Sequence, residues 1–177
     1  MEDVKEQEPQ QKSSGFLLHL TCVVWGLLLI FAAFTLSHKF VVVSGESMEP
    51  ALYDGDVVIS SVCTNVQVGN VYMLREPDEG YYVIKRLVGL PGDTIKFVEG
   101  ALYRNDELFI ESPGDSWDNA SYTLGVDEYL FLGDNRTKSY DGRYWSRFVH
   151  LDEIEYCLDD IIYPFTHRGN VHWEAMS

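Results

Sequence analysis

Ser47 lies in the stretch SGESMEP, residues 44–50, and Lys85 lies in the apolar run YYVIKRLVGL, residues 81–90. A serine hydroxyl is a weak nucleophile until a base takes its proton. The chain has no G-x-S-x-G motif, and no histidine stands in a familiar serine-hydrolase order around Ser47. Lys85 is the candidate base. On a strand it shares a face with Tyr81, Val83 and Leu87, and that apolar face implies burial. Burial disfavours the ammonium and brings a lysine down from about 10.4. A neutral amine can take a proton near neutral pH, and a solvated ammonium cannot. Arg86 faces the other way and is expected to form a structural ion pair. A third segment, GDNRTKSYDGR at 133–143, gathers Asp, Asn, Arg and Ser between glycines. Singly these are a turn serine, a strand lysine and a polar loop. Ser47 and Lys85 could form a nucleophile–base pair, while 133–143 read alone could be a surface loop.

Such a pair needs rigid elements to bring it together. FVVVS (40–44), DVVISSV (56–62), VYMLRE (71–76), YYVIKRLVGL (81–90) and EYLFLGD (128–134) are rich in β-branched and aromatic residues and read as strands. TIKFVEGALYRNDELFIE (94–111) reads as three strands joined by turns at Glu99-Gly100 and Asn105-Asp106, residue types that tolerate positive φ. Residues 94–127 form a hairpin and loop insertion, with a polar loop from Asp115 to Tyr122 that includes Trp117. LDEI (151–154) reads as a helical turn. Short strands separated by turn signals indicate a mainly β, antiparallel, barrel-like or sandwich domain over residues 37–177.

The sequence of 177 residues carries a formal charge of −15, opposite to that of a nucleic-acid reader, so no nucleic-acid partner is expected. Of its three cysteines, Cys22 lies in an apolar segment. Cys63 and Cys157 either pair or sit as small buried side chains; no CxxC motif points to zinc or thioredoxin chemistry. The histidines, His167 and His172 among them, lack metal spacing, so no metal or cofactor is expected. Asn119-Ala-Ser and Asn135-Arg-Thr match the short glycosylation pattern, which recurs by chance.

Residues 1–15 are polar and read as a disordered tail. Phe16 to Leu36 is apolar except for His19, Thr21 and Thr35. As a helix this stretch reaches about 31 Å, one hydrocarbon thickness. A cleavable leader would show a basic start, a shorter apolar run and small residues at the cut, and this segment shows none of these. It reads as an uncleaved, single-pass anchor. Lys5 and Lys12 precede it and Lys39 follows, a bias toward a cytoplasmic N-terminus with the main domain outside.

In order along the chain, the anchor, S-G-x-S-M-x-P (44–50), G-D-V-V (55–58), I-K-R-L-V-G-L-P-G-D (84–93) and G-D-N-R-x-x-S-x-D-x-R (133–143) resemble the type I signal peptidase family, bacterial single-anchor type. The resemblance covers nearly everything after residue 16. It implies Ser47 as nucleophile and Lys85 as base. It also implies Ser139 and Asp141 as residues that position the lysine, with Asp134, Asn135, Arg136 and Arg143 as scaffold. Asp141 pairing with an arginine would spare the lysine a direct carboxylate, which would hold its proton. The oxyanion donors implied are the Ser47 backbone N–H and a group near Gly45, where some relatives place a serine; here Ser44 is one position further back. Val43, Met48, Leu52 and Ile84 are the implied substrate-pocket residues.

The partners implied are preprotein signal peptides, the lipid bilayer and the nearby protein-export translocon. An extended peptide is expected to add beside FVVVS. Ala51, Gly142 and the stretch SRFVHLDEI depart from the family's usual residues but leave Ser47 and Lys85 untouched. Three alternatives fit less of the pattern. A non-catalytic membrane chaperone would lose the serine or the lysine. A self-cleaving repressor would be soluble and would carry a DNA-binding domain. A mitochondrial counterpart would carry an Arg-rich leader.

Overall fold

The computed structural model describes residues 13–110, 120–167 and 171. Tail residues 1–12, the expected loop as far as residue 119, including Trp117 and Asn119, and His172 lie outside these.

One unit of the chain is the helix α1, Ser13–Ser37. It begins three residues before the expected anchor, so residues 13–15 belong to the helix and not to the tail. From residue 15 on, its large apolar side chains are exposed, and it is long and apolar enough to cross a membrane. His19, Thr21 and Thr35 turn back onto the helix. His19 Nδ1 lies 2.6 Å from the Gly15 carbonyl. Thr21 and Thr35 donate to the Leu18 and Ala32 carbonyls at 2.8 and 3.0 Å. Each of these three groups has a partner within the helix, as a segment in hydrocarbon would require.

The second unit begins at His38 and holds two antiparallel sheets. The first consists of β1 (His38–Val42), β2 (Val57–Val62), β3 (Val71–Arg75), β4 (Tyr82–Gly89), β9 (Leu130–Leu132) and β10 (Ile154–Tyr163), in the order β1-β2-β10-β3-β4-β9. The second consists of β5 (Thr94–Val98), β6 (Ala101–Arg104), β7 (Glu107–Ile110) and β8 (Ser121–Thr123), in the order β7-β6-β5-β8. Both expected hairpin turns form, with positive φ at Glu99, Gly100, Asn105 and Asp106.

Two strands were not legible. β10, inserted between β2 and β3, buries Ile154, Leu158 and Ile161. That spacing is helical, because bulges at Ile154/Tyr156, Leu158/Asp160 and Ile161/Tyr163 reset the two-residue alternation. β8 takes the last residues of the expected Asp115–Tyr122 loop: three residues, two of them polar, whose pairing is set by β5. The expected turn at 151–154 appears as a short 3-10 turn over Leu151–Glu153.

Three apolar clusters fill the interior. One lies around Val43, Met48, Leu52, Val58 and Leu158. A second packs Tyr72, Leu87, Phe131 and Trp145. A third joins Val88, Leu130 and Leu132 of the first sheet to Ile95, Phe97 and Leu102 of the second. Cys63 and Cys157 are free thiols beside the second cluster. Leu158 is fully buried on β10, the strand that links β2 to β3. Leu158→Ala is expected to destabilise the domain by about 2–5 kcal/mol, the usual cost of a cavity in a close-packed core, read as a lowered unfolding midpoint.

Candidate active site

β1 leads into the SGESMEP turn, and backbone bonds hold the turn. Val43 N–H donates to the Asp56 carbonyl at 2.8 Å, and Gly55 N–H donates to the Val43 carbonyl at 3.0 Å. Gly45, at φ 91°, donates its N–H to Asp54 Oδ1 at 2.8 Å. A left-handed residue suits glycine here. Met48 and Leu52 sink into the first apolar cluster, which leaves Ser47 half-buried at the surface of the turn.

Lys85 comes from the middle of β4 and is 4% exposed. Its Nζ lies 2.9 Å from Ser47 Oγ and 3.0 Å from the Ile84 carbonyl. Burial lowers its pKa to about 8, against a smaller upward pull from Asp141 and then Asp134. Neither carboxylate pairs with it. Asp134 takes Arg86 through Nε at 2.8 Å and Nη2 at 2.6 Å. Asp141 takes Arg143 through Nε at 2.9 Å, with both side chains fully buried. Each acid near the lysine therefore carries its own guanidinium.

The loop 133–143 docks on the nucleophile's turn. Asn135 N–H donates to the Ser47 carbonyl at 3.0 Å, and Lys138 pairs with Glu46. Gly133 N–H donates to Asp141 Oδ2 at 2.9 Å. A Cβ on Gly133 would come within 2.5 Å of both Ser139 Cβ and the Ser47 carbonyl oxygen, so only glycine allows this approach. Arg143 Nη2 also ties down the Arg136 carbonyl at 2.7 Å. The Ser139 hydroxyl is buried without a hydrogen-bond partner among the described residues, and the lysine's second partner is the Ile84 carbonyl.

A cleft of about 430 Å³ opens beside the pair. Val41–Ser47 and Met48 line one side, apart from Glu46, and Met73 and Tyr81–Lys85 line the other. Val43, Met48 and Ile84 are thus in the lining. Leu52 is not: it is fully buried in the same apolar cluster as Met48, and its N–H donates to the Met48 carbonyl at 2.9 Å. Met73, Tyr81, Tyr82 and Val83 were not singled out from sequence as pocket residues. Tyr81 and Val83 stand in the same apolar run, whereas Met73 enters through its register opposite Ile84. Of the donors expected near Gly45, the Gly45 amide is committed to Asp54, while the Ser47 amide makes no bond within the described residues.

A hydroxyl and a buried amine at hydrogen-bond distance, beside a strand-edged cleft, suit acyl transfer from an extended polypeptide. The family model described as signal peptidase, peptidase S26, matches residues 16–156. The chain belongs to this family and is a peptidase. A probable signal peptidase I-2 of Synechocystis sp. is 31% identical over 175 residues, covering 86% of this chain and 75% of its own length. Signal peptidase I P of Bacillus subtilis subsp. natto is 28% identical over 152 residues, covering 76% of this chain and 82% of its own. A crystal structure of a signal peptidase I from Enterococcus faecalis V583 covers 54% of this chain and 98% of its own, at 28% identity and a TM-score of 0.48.

The Asp141–Arg143 pair is inaccessible to water. Asp141→Asn removes the carboxylate from a fully buried ion pair and is expected to cost about 3–5 kcal/mol, seen as a large drop in the unfolding midpoint.

Proposed function

We propose that this chain is a membrane-anchored serine endopeptidase that cuts signal peptides from exported preproteins. The observation that carries this reading is the 2.9 Å contact between Ser47 Oγ and the buried Lys85 Nζ. Neutral Lys85 takes the Ser47 proton as Oγ attacks the scissile carbonyl. The oxyanion forms against the Ser47 N–H, with the cleft-lining Ser44 hydroxyl as second donor. The lysine then protonates the leaving amine, and an acyl-enzyme remains. Water, deprotonated by the same lysine, releases the acyl group and restores Ser47. Ser139, Asp141, Asp134 and Arg143 act through the loop that braces the pair.

The domain organisation follows from this reading. A cytoplasmic tail precedes an anchor across the cell membrane, and the peptidase domain from residue 37 lies on the extracytoplasmic side near the export translocon. Among the described residues β1 pairs with no strand other than β2, and β9 pairs with β4 only from Arg86 onward, so β1 and β4 each offer a strand edge to a peptide. Four antiparallel steps separate β1 from β4, so they run parallel to each other. β1 starts just after α1 ends. A signal peptide leaving the bilayer would run the same way along both, with its residues before the cut beside the strands.

Ser47→Ala and Lys85→Ala are each expected to lower kcat for a preprotein in detergent by about 10³-fold or more; wild-type rates in either variant would exclude the pair. The pH dependence has a definite sign. The working lysine is neutral, so kcat/KM should rise with pH through about 8 and level off above it. A profile that falls over that range would contradict a lysine base.

A further inference from the structure

Arg86 grips Asp134 at two points, with Nε and Nη2 each on one carboxylate oxygen. Both side chains are buried. The remaining guanidinium nitrogen, Nη1, has other partners. It donates to the Gly69 carbonyl and, at 3.2 Å, to the Val171 carbonyl. These two acceptors come from different places. Gly69 is tied to β4 itself, its N–H donating to the Leu87 carbonyl at 2.8 Å. Val171 lies 85 positions after Arg86 in the sequence. Its N–H donates to the Asp159 carbonyl of β10 at 3.3 Å. Its side chain is 3% exposed, in the same apolar cluster as Val43 and Met48. Val171 thus meets the supports of both reacting groups: the cluster that seats Met48, next to Ser47, and the guanidinium of Arg86, next to Lys85.

A guanidinium presents its donors in a rigid planar fork. Acceptors on Nη1 fix the plane of that fork and keep Nε and Nη2 on Asp134. Withdrawing one acceptor from a buried N–H favours a turned guanidinium that finds another. The charge on Lys85 depends on this orientation. Asp141 and Asp134 are the charged groups that favour its ammonium. Asp141 has its own guanidinium in Arg143, and Glu46, on the nucleophile's turn, pairs with Lys138. Tyr72, opposite Lys85 on β3, stays neutral over the working range, since burial pushes its phenol up to about 12. Asp134 is therefore the group whose effect on the lysine Val171 can change.

We propose that Val171 is a positioning residue of the peptidase: seated in the core, its carbonyl holds Arg86 on Asp134 and so leaves Lys85 able to act as the base. The proposal rests on the Ser47–Lys85 reading. With Val171 displaced, Arg86 turns from Asp134, and the bare carboxylate favours the lysine's ammonium. The midpoint of the kcat/KM profile then moves up from about 8, and the neutral fraction near pH 7 falls. Well above the midpoint the amine is neutral again and the rate returns.

The test follows cleavage of a preprotein in detergent from about pH 6 to about pH 10, with the unfolding midpoint measured alongside. Val171→Gln, which puts an amide into the apolar cluster, and a chain stopped after residue 170 are each expected to raise the pH midpoint by about one unit. Each then loses about tenfold in kcat/KM near pH 7 and little near pH 10. Val171→Ala, the mildest change, is expected to lose about threefold near pH 7, and it carries the test if the other two do not fold. Leu158→Ala cuts the same cluster and is expected to lower the unfolding midpoint while leaving the pH midpoint near 8. An unchanged pH midpoint in the folded Val171 variants overturns the proposal, as does a loss that is equal at every pH. A matching rise in Leu158→Ala also overturns it, since any loosening of the core would then act alike. If Ser47→Ala cuts as fast as wild type, the peptidase reading itself fails and the role of Val171 fails with it.

Discussion

A lysine can act as a base only where nothing nearby holds its proton, and here two aspartates lie close enough to do so. Each is taken by an arginine: Asp134 by Arg86, and Asp141 by Arg143. Without those partners, the carboxylates would pull Lys85 back toward its ordinary range. With them, burial dominates and the amine sits at about 8. The two ion pairs are therefore better understood through what they do to the lysine's charge than as sources of stability, since buried pairs repay little of their desolvation.

The same pairs fix geometry. Arg86 follows Lys85 on β4, so the ion pair that neutralises Asp134 also sets the strand against the 133–143 loop. That loop closes on the Ser47 carbonyl through Asn135 N–H and through the bare Cα of Gly133. From the other side, Met48 and Leu52 anchor the turn in the core. Ser47 is thus held from below by apolar packing and from the side by backbone contacts, while its hydroxyl remains in the cleft.

Much of this was legible in the sequence, for specific reasons. Strands β2 to β7 follow alternation or β-branched runs between turns whose residue types match the positive φ they adopt. The opposite facings of Lys85 and Arg86 follow from strand periodicity alone. β10 was not legible, because its bulges give buried residues a helical spacing. Met73 escaped notice as a cleft residue because its place there depends on a strand neighbour far away in sequence, Ile84. Leu52 is expected in the pocket but is fully buried in the core and outside the cleft lining, since depth is not encoded in spacing.

Proton transfer in this site turns on the charge of the Lys85 side chain. A direct NMR titration of the Lys85 side-chain amine, in full-length protein in detergent, tests it most closely. A midpoint near 8 is the predicted result. A midpoint at the ordinary lysine value of about 10.4 would mean the amine stays protonated under working conditions, and the proposed base would be ruled out.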